Sequence, residues 1–322
     1  MVPEGIMALI QILLFPGFLF LIALAFFHEW VDRKLLAKLQ NRYGPLYTGP
    51  AGLLQPFADF IKLLSKEDIT PKAADKFMFS CAPLFMLSFP LLALFLIPVT
   101  GLTASISFEG DLIFLMFLFT LIAITIFIAG WSSVSRFSTV GGVRAAFQML
   151  GYEIPMTLVM VGPAIAARTL SISQIVGWQT HNAAWFIWLQ PIGFAIFVLC
   201  LLAELEFIPF DIPEAETEIV AGWFTEFSGR KLALIRLGKD VELVLAASLI
   251  TSLFLGGPNS SLPILATGFF LLKTTLAVVL FTTLRALFAR FRIDQMIAGA
   301  WKYLIPLAIL QMVLIQLGFG RW

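Results

Sequence analysis

Ala203-Glu204-Leu205-Glu206-Phe207-Ile208-Pro209-Phe210-Asp211-Ile212-Pro213-Glu214-Ala215-Glu216-Thr217-Glu218 is the stretch around which the chain is organised. It begins at the end of an apolar run and passes into carboxylates and prolines. Seven acidic residues lie between positions 204 and 226: Glu204, Glu206, Asp211, Glu214, Glu216, Glu218 and Glu226. They make up about a third of the 20 acidic residues of the chain. No Lys or Arg occurs between Arg168 and Arg230 to neutralise them along the sequence. Pro209 and Pro213 break any helix that runs through. Glu204 and Glu206 sit so close to the apolar run that ionising them there is expensive. A carboxylate cluster at membrane depth beside broken backbone is suited to taking up, holding or passing protons. The plainer alternative is an acidic solvated loop, which does not account for Glu204 and Glu206.

Working outward, composition sets the class. Hydrophobic residues make up 60% of the 322 residues and charged ones 13%, about half the charged share of a soluble domain. Mean hydropathy is +0.95. The chain is an integral membrane protein. The first apolar run lacks a basic start and is too long for a cleavable signal peptide. Two cysteines, Cys81 and Cys200, both lie in apolar runs, so neither a disulfide framework nor a cysteine-ligated cluster is supported. His28 and His181 are too isolated for a metal site.

Eight segments approach the roughly 20 residues a helix needs to cross about 30 Å. They are placed at 6–27, 78–99, 112–130, 143–166, 184–207, 240–256, 263–288 and 301–319. The expected fold is therefore an all-α membrane bundle of about eight transmembrane helices, one polytopic domain over 1–322. Its loops 28–77, 131–143, 208–239 and 289–300 carry fifteen of the 21 basic residues, against Arg168 and Arg321 on the other side. That asymmetry places these loops in the cytoplasm and both termini outside. Within 28–77, Leu53, Leu54, Phe57, Phe60, Ile61 and Leu64 recur at helical spacing among Asp59, Lys62, Ser65 and Lys66. This predicts an amphipathic helix in the membrane interface.

Two further polar residues fall inside apolar segments. Glu153, in Gly151-Tyr152-Glu153-Ile154-Pro155, is a candidate by its intramembrane position, against the alternative of a neutral carboxyl satisfied by a carbonyl. Lys273 lies too deep to be a simple anchor, although a lysine can snorkel. Arg144, Arg285 and Lys302 read first as interfacial anchors. With Arg290, Arg292 and Asp294 they could also pair with the acidic stretch. Gly141-Gly142 and Gly256-Gly257 read as short loop signals. No phosphate-cradling, nucleophilic or nucleic-acid-reading pattern occurs.

Several long motifs stand in order along the chain: Asp32-Arg33-Lys34 through Gly44-Pro45, Gly52-Leu53-Leu54-Gln55-Pro56-Phe57-Ala58-Asp59, Lys62 to Glu67, Pro209 to Glu218, Val220-Ala221-Gly222, Leu272-Lys273-Thr274, Arg292-Ile293-Asp294-Gln295 and Trp301-Lys302. They resemble the H subunit of bacterial respiratory complex I, equivalent to mitochondrial subunit 1. They also resemble its relatives in membrane-bound nickel–iron hydrogenases and related archaeal energy-converting complexes. The resemblance covers nearly the whole chain. It implies a membrane-anchor and coupling subunit of an ion-translocating oxidoreductase at the cell membrane. No redox cofactor would be bound here. Partner subunits would carry iron–sulfur clusters and, in the hydrogenase-like branch, a nickel–iron centre. Peripheral electron-transfer subunits, antiporter-like membrane subunits and small membrane subunits would be the partners, within lipid and without nucleic acid. Glu204, Asp211, Glu214, Glu216 and Glu218 would line the coupling path with Glu153 further along, and Glu206, Glu226 and Lys273 join them as candidates. Arg33, Lys34, Arg42, Asp59, Glu67, Arg292 and Asp294 would lie in loops that dock the peripheral arm or once shaped a quinone chamber.

The chain departs from the quinone-reducing members where a headgroup would bind. Their Glu-Thr-Asn-Arg before Pro-Phe-Asp is here Glu204-Leu205-Glu206-Phe207. Their Gly-Pro-Asn is Gly44-Pro45-Leu46, their first Glu-Arg-Lys is Asp32-Arg33-Lys34, and an expected acid aligns with Lys239. These changes favour a hydrogenase-like or sulfur-reducing complex. A quinone-binding subunit of an NADH:quinone-type enzyme is the first alternative. A stand-alone proton-coupled transporter is the second, weakened by the missing internal repeat.

Overall fold

The computed structural model describes residues 11–260 and 262–320. Residues 6–10 of the first expected segment and both chain termini lie outside the described residues. The described residues form helices and no strand: α1 (Phe18–Leu39), α2 (Gln55–Ser65), α3 (Lys76–Leu94), α4 (Asp111–Ser132), α5 (Arg136–Ala167), α6 (Ile172–His181), α7 (Phe186–Leu189), α8 (Pro191–Glu204), α9 (Glu216–Ile219), α10 (Gly229–Phe254), α11 (Pro263–Leu287), α12 (Ile293–Gly299) and α13 (Ile305–Gln316). Local chemistry sets several ends. Asp75 accepts from Phe77 N and Met78 N at 3.0 and 3.3 Å and so caps α3. Pro191 and Pro263 stand in the first turns of α8 and α11, where a missing N–H is harmless.

Among the described residues six helices, not eight, are long and apolar enough to cross a membrane: Gln11–Leu39, Lys76–Leu94, Asp111–Ser132, Arg136–Ala167, Pro263–Leu287 and Ile293–Gln316. The two remaining segments differ for different reasons. The segment expected at 184–207 breaks at Gln190, leaving α8 with 14 residues, about 21 Å of rise against a core of about 30 Å. The segment expected at 240–256 is longer than expected and begins at Gly229. Its first fourteen residues include Arg230, Lys231, Arg236, Lys239, Asp240 and Glu242. It can hold them because α10 is the central post of the bundle, packed on α1, α2, α3 and α11. Every residue from Val241 to Phe254 is buried, so α10 needs no apolar outer face.

Other boundaries move as well. α1 runs on to Leu39, so Arg33 and Lys34 ride a helix, not a loop. α5 starts at Arg136, so Gly141 and Gly142 lie inside it and are no loop signal. A Cβ on Gly141 would come within 2.5 Å of Trp223 N and one on Gly142 within 3.1 Å of Phe127 O. Small residues let backbones meet here, as membrane helices require. The amphipathic helix is α2, with Leu53 and Leu54 in the turn before it. Phe57 and Phe60 set their rings 5.8 Å from Phe26 of α1, while Ile61 and Leu64 face outward.

Candidate functional site

α8 ends at Glu204 because the chain closes a left-handed C-cap. Phe207 N donates to Leu202 O at 3.1 Å and Glu206 N to Ala203 O at 3.2 Å. Glycine usually fills the left-handed position of such a cap; here it is Glu206, with φ 54°. A side chain held there costs about 1–2 kcal/mol, and such strain persists where the surroundings over-determine it. Three contacts do so. Lys239 of α10 bonds both Glu206 and Glu214. Trp223 Nε1 donates to Glu206 Oε2 at 3.2 Å. The Lys239 ammonium also lies 5.3 Å from the Trp223 ring centre.

The loop from Glu206 to Ser228 is pinned against α5. Ser138 Oγ donates to Trp223 O at 2.5 Å, and the fully buried indole fills the space beside Gly141. Gly222 has φ 58°, and a Cβ there would fall 1.9 Å from Pro213 O. Only glycine lets the loop fold back on itself at that point.

This loop, α1, α10 and the end of α11 enclose a cavity of about 850 Å³. Of the residues singled out in the sequence, Glu206, Asp211, Glu214, Glu216, Arg33, Arg42 and Asp59 line it. Three of its arginines are paired. Arg33 bonds Glu29 and reaches Asp59 at 2.8 Å. Arg290 meets Asp211 at 3.5 Å, and Arg285 meets Asp32 at 3.1 Å while lying 4.5 Å over the Phe207 ring. Burial pushes the Asp211 carboxyl up, and the nearby Arg290 offsets part of that. Burial also acts to raise Asp59, but hydrogen bonds from Arg33 and Gln55 outweigh it and hold its carboxyl low.

A line of polar groups leads from this cavity into the bundle. Glu204 is 4% exposed and bonds the Tyr152 hydroxyl of α5. The next residue, Glu153, bonds Thr120 of α4. Oε1 of Glu204, of Glu206 and of Glu242 each lacks a partner although buried. Gln148 Nε2 donates to Ala203 O at 2.7 Å and ties α5 to the end of α8.

The remaining candidates lie elsewhere. Glu218 is bound at 2.6 Å by Arg144 on the outer surface of the loop. Glu226 and Glu67 are absent from the cavity wall, and Arg292 and Asp294 are exposed neighbours 4.0 Å apart. Lys34 donates to Pro45 O and Ala51 O at 2.8 and 3.1 Å, folding the segment after α1 onto the helix. Lys273 donates to Leu255 O and Gly257 O at 2.6 and 2.7 Å, at the C-terminal end of α10. It lies 4.8 Å over Trp185 and stands apart from the carboxylates.

Sequence reading missed four groups. Tyr152 sits beside Glu153 in the line. Glu29 and Asp240 bond each other on the cavity wall, and Glu242 lines it one helical turn beyond Lys239. Glu242 and Asp240 had a signal: two acids at the edge of an expected span. Glu29 had only its place at the end of the first apolar run.

The sequence profile of the family described as NADH dehydrogenase matches residues 10–316. The H subunit of the F(420)H(2) dehydrogenase of Methanosarcina acetivorans is 39% identical over 301 residues, covering 88% of this chain and 86% of the relative. The second H-type subunit of the NADH-quinone oxidoreductase of Rhizobium etli is 38% identical, covering 88% of this chain and 86% of its own. The protein of the same name in Rhizobium meliloti is also 38% identical, with 88% and 89% covered. The match spans the apolar helices, the acidic loop and the cavity wall alike, and the chain belongs to the NADH dehydrogenase family as a membrane subunit of the complex I-like oxidoreductases.

Proposed function

We propose that this chain is the membrane-anchor and coupling subunit of an ion-translocating oxidoreductase. Electron transfer in a docked peripheral arm changes the field at the cavity, and the carboxylates behind it shift proton or partner in response. The observation that carries the reading is the succession of polar groups behind the cavity: Glu204, with Glu206 and Glu153 as charged neighbours, bonds Tyr152, and Glu153 bonds Thr120. Close carboxylates of this kind titrate as a group. The basic loops would face the cytoplasm, and redox centres would sit in partner subunits. In the intact complex reconstituted in vesicles, E204Q and E153Q should keep redox turnover in the presence of an uncoupler and lose most ion translocation. Full translocation by both variants would overturn the path.

The chemistry of the cavity supports a hydrogenase-like or sulfur-reducing complex. Glu206 and Phe207 stand where the quinone-reducing pattern has asparagine and arginine; Glu206 is bound by Lys239, which also holds Glu214, and Phe207 lies under Arg285. Lys239 and Arg285 are both tied to carboxylates, so neither is free to meet a quinone oxygen. A quinone-reducing complex is the second reading, favoured by the names of the Rhizobium relatives. Purifying the native complex through this chain decides between them. Hydrogen evolution without quinone reductase activity supports the first. Quinone reduction blocked by a quinone analogue supports the second.

A further inference from the structure

Glu204 is absent from the cavity wall, so some other group must connect it to the cavity. Two carboxylates reach both the cavity and the neighbourhood of Glu204: Glu206 and Glu242. They differ in what holds them. Glu206 Oε2 takes both the Lys239 ammonium and the Trp223 indole N–H, and its backbone is fixed in the left-handed cap. A side chain fixed by two donors on a fixed backbone has little freedom to swing between the cavity and Glu204.

Glu242 is arranged otherwise. It is 2% exposed, lies on the most buried helix, and no donor reaches its Oε1 among the described residues. Its charged neighbours are Glu204 and Glu206 at the end of α8 and Lys239 one turn back on its own helix. Asp240 and Glu29, bonded to each other, stand on the same cavity wall, with Arg33 and Asp32 of α1, Asp59 of α2, Arg236 of α10 and Arg285 of α11 further round. An unpartnered carboxyl oxygen this deep is destabilising unless it serves a purpose.

We propose that Glu242 is the relay carboxyl between the cavity and Glu204, while Lys239 holds Glu206 out of the relay as a fixed ion pair. A proton that enters from the bulk as hydronium in the cavity water passes to the Glu242 carboxylate and leaves neutral water behind. It then passes to Glu204, and Glu242 returns to its charged form. The inference rests on the reading of the carboxylate line as an ion path, and the same assay separates the two. In vesicles holding the whole complex, E242Q should lower translocation per turnover at least tenfold, and E242D should restore a substantial part. The turnover-dependent infrared signal of a protonated carboxyl should weaken in E242Q. Loss of translocation in E204Q with wild-type translocation in E242Q overturns the relay alone. Wild-type translocation in E204Q, E153Q and E242Q overturns the path and the relay together. If E242Q does not assemble, E242D decides: a shifted pH profile of translocation supports the relay, and an unshifted one overturns it.

Discussion

Replacing Lys239 by methionine should destabilise the assembled protein more than any other single change at the cavity. The Lys239 side chain is 23% exposed, that of Glu206 4% and that of Glu214 25%. Removing one member of a fully buried ion pair costs about 3–5 kcal/mol, because the partner keeps an uncompensated charge. Partial exposure lets water screen part of this, leaving about 2–3 kcal/mol. Losing the ammonium over Trp223 and Phe224, 5.3 and 6.0 Å from their ring centres, adds about 0.5–1 kcal/mol. A total near 3 kcal/mol corresponds to a fall in Tm of up to about 10 °C. The assay is intrinsic-fluorescence melting of the purified complex in detergent. K239M/E206Q removes the buried charge together with its counter-ion and should recover more than half of the loss. A wild-type Tm for K239M, or a double variant no better than K239M, would refute the reasoning.

Three further outcomes follow from the geometry. E206G should melt higher than E206A, by an amount corresponding to about 1 kcal/mol, since glycine alone accepts φ 54° freely; equal melting would show that the cap is not strained. K273M should lose about 1–3 kcal/mol by stranding the carbonyls of Leu255 and Gly257, with translocation per turnover unchanged. A coupling defect in assembled K273M would return Lys273 to the ion path. The Asp59 carboxyl is held low in the folded protein, so its link to Arg33 contributes above the free-carboxyl value of about 3.9 and fades as pH falls below it. The Tm gap between wild type and D59N should therefore be constant above about pH 5 and close in acid; a gap that widens in acid would contradict the sign.

What could be read from the sequence follows from what each feature costs. Carboxylates beside an apolar run are expensive anywhere in a membrane protein, so Glu204, Glu206 and Glu153 stood out without a structure. The amphipathic pattern of α2 was equally legible, because a helix in the interface shows both faces to different solvents. α10 was misjudged because hydropathy measures contact with lipid, and this helix is walled in by protein. The Gly141-Gly142 pair read as a turn because close helix packing and chain reversal use the same residue. Asp240 and Glu29 escaped notice because their meaning is mutual. They lie on helices far apart in sequence, and a hydrogen bond between two carboxyls exists only once α1 and α10 are packed.

The same mutuality changes the meaning of the departures from the quinone-reducing pattern. Taken singly, a glutamate in place of asparagine at 206 and a lysine in place of an acid at 239 are two unrelated anomalies. In the structure the new acid and the new base are bonded to each other. Each depends on the other: Glu206 without Lys239 loses its counter-ion, and Lys239 without Glu206 keeps Glu214 alone. The pair is therefore one change, which moves a fixed charge into the position between cavity and bundle. It also leaves the wall short of a free carboxylate at position 239, and Glu242, three residues on along the same helix, restores one there. A swap of Lys239 and Glu242 should for that reason preserve the net charge of the cavity wall while breaking both the ion pair and the relay. If that double variant translocated ions like the wild type, only the number of charges would matter and not their order along α10.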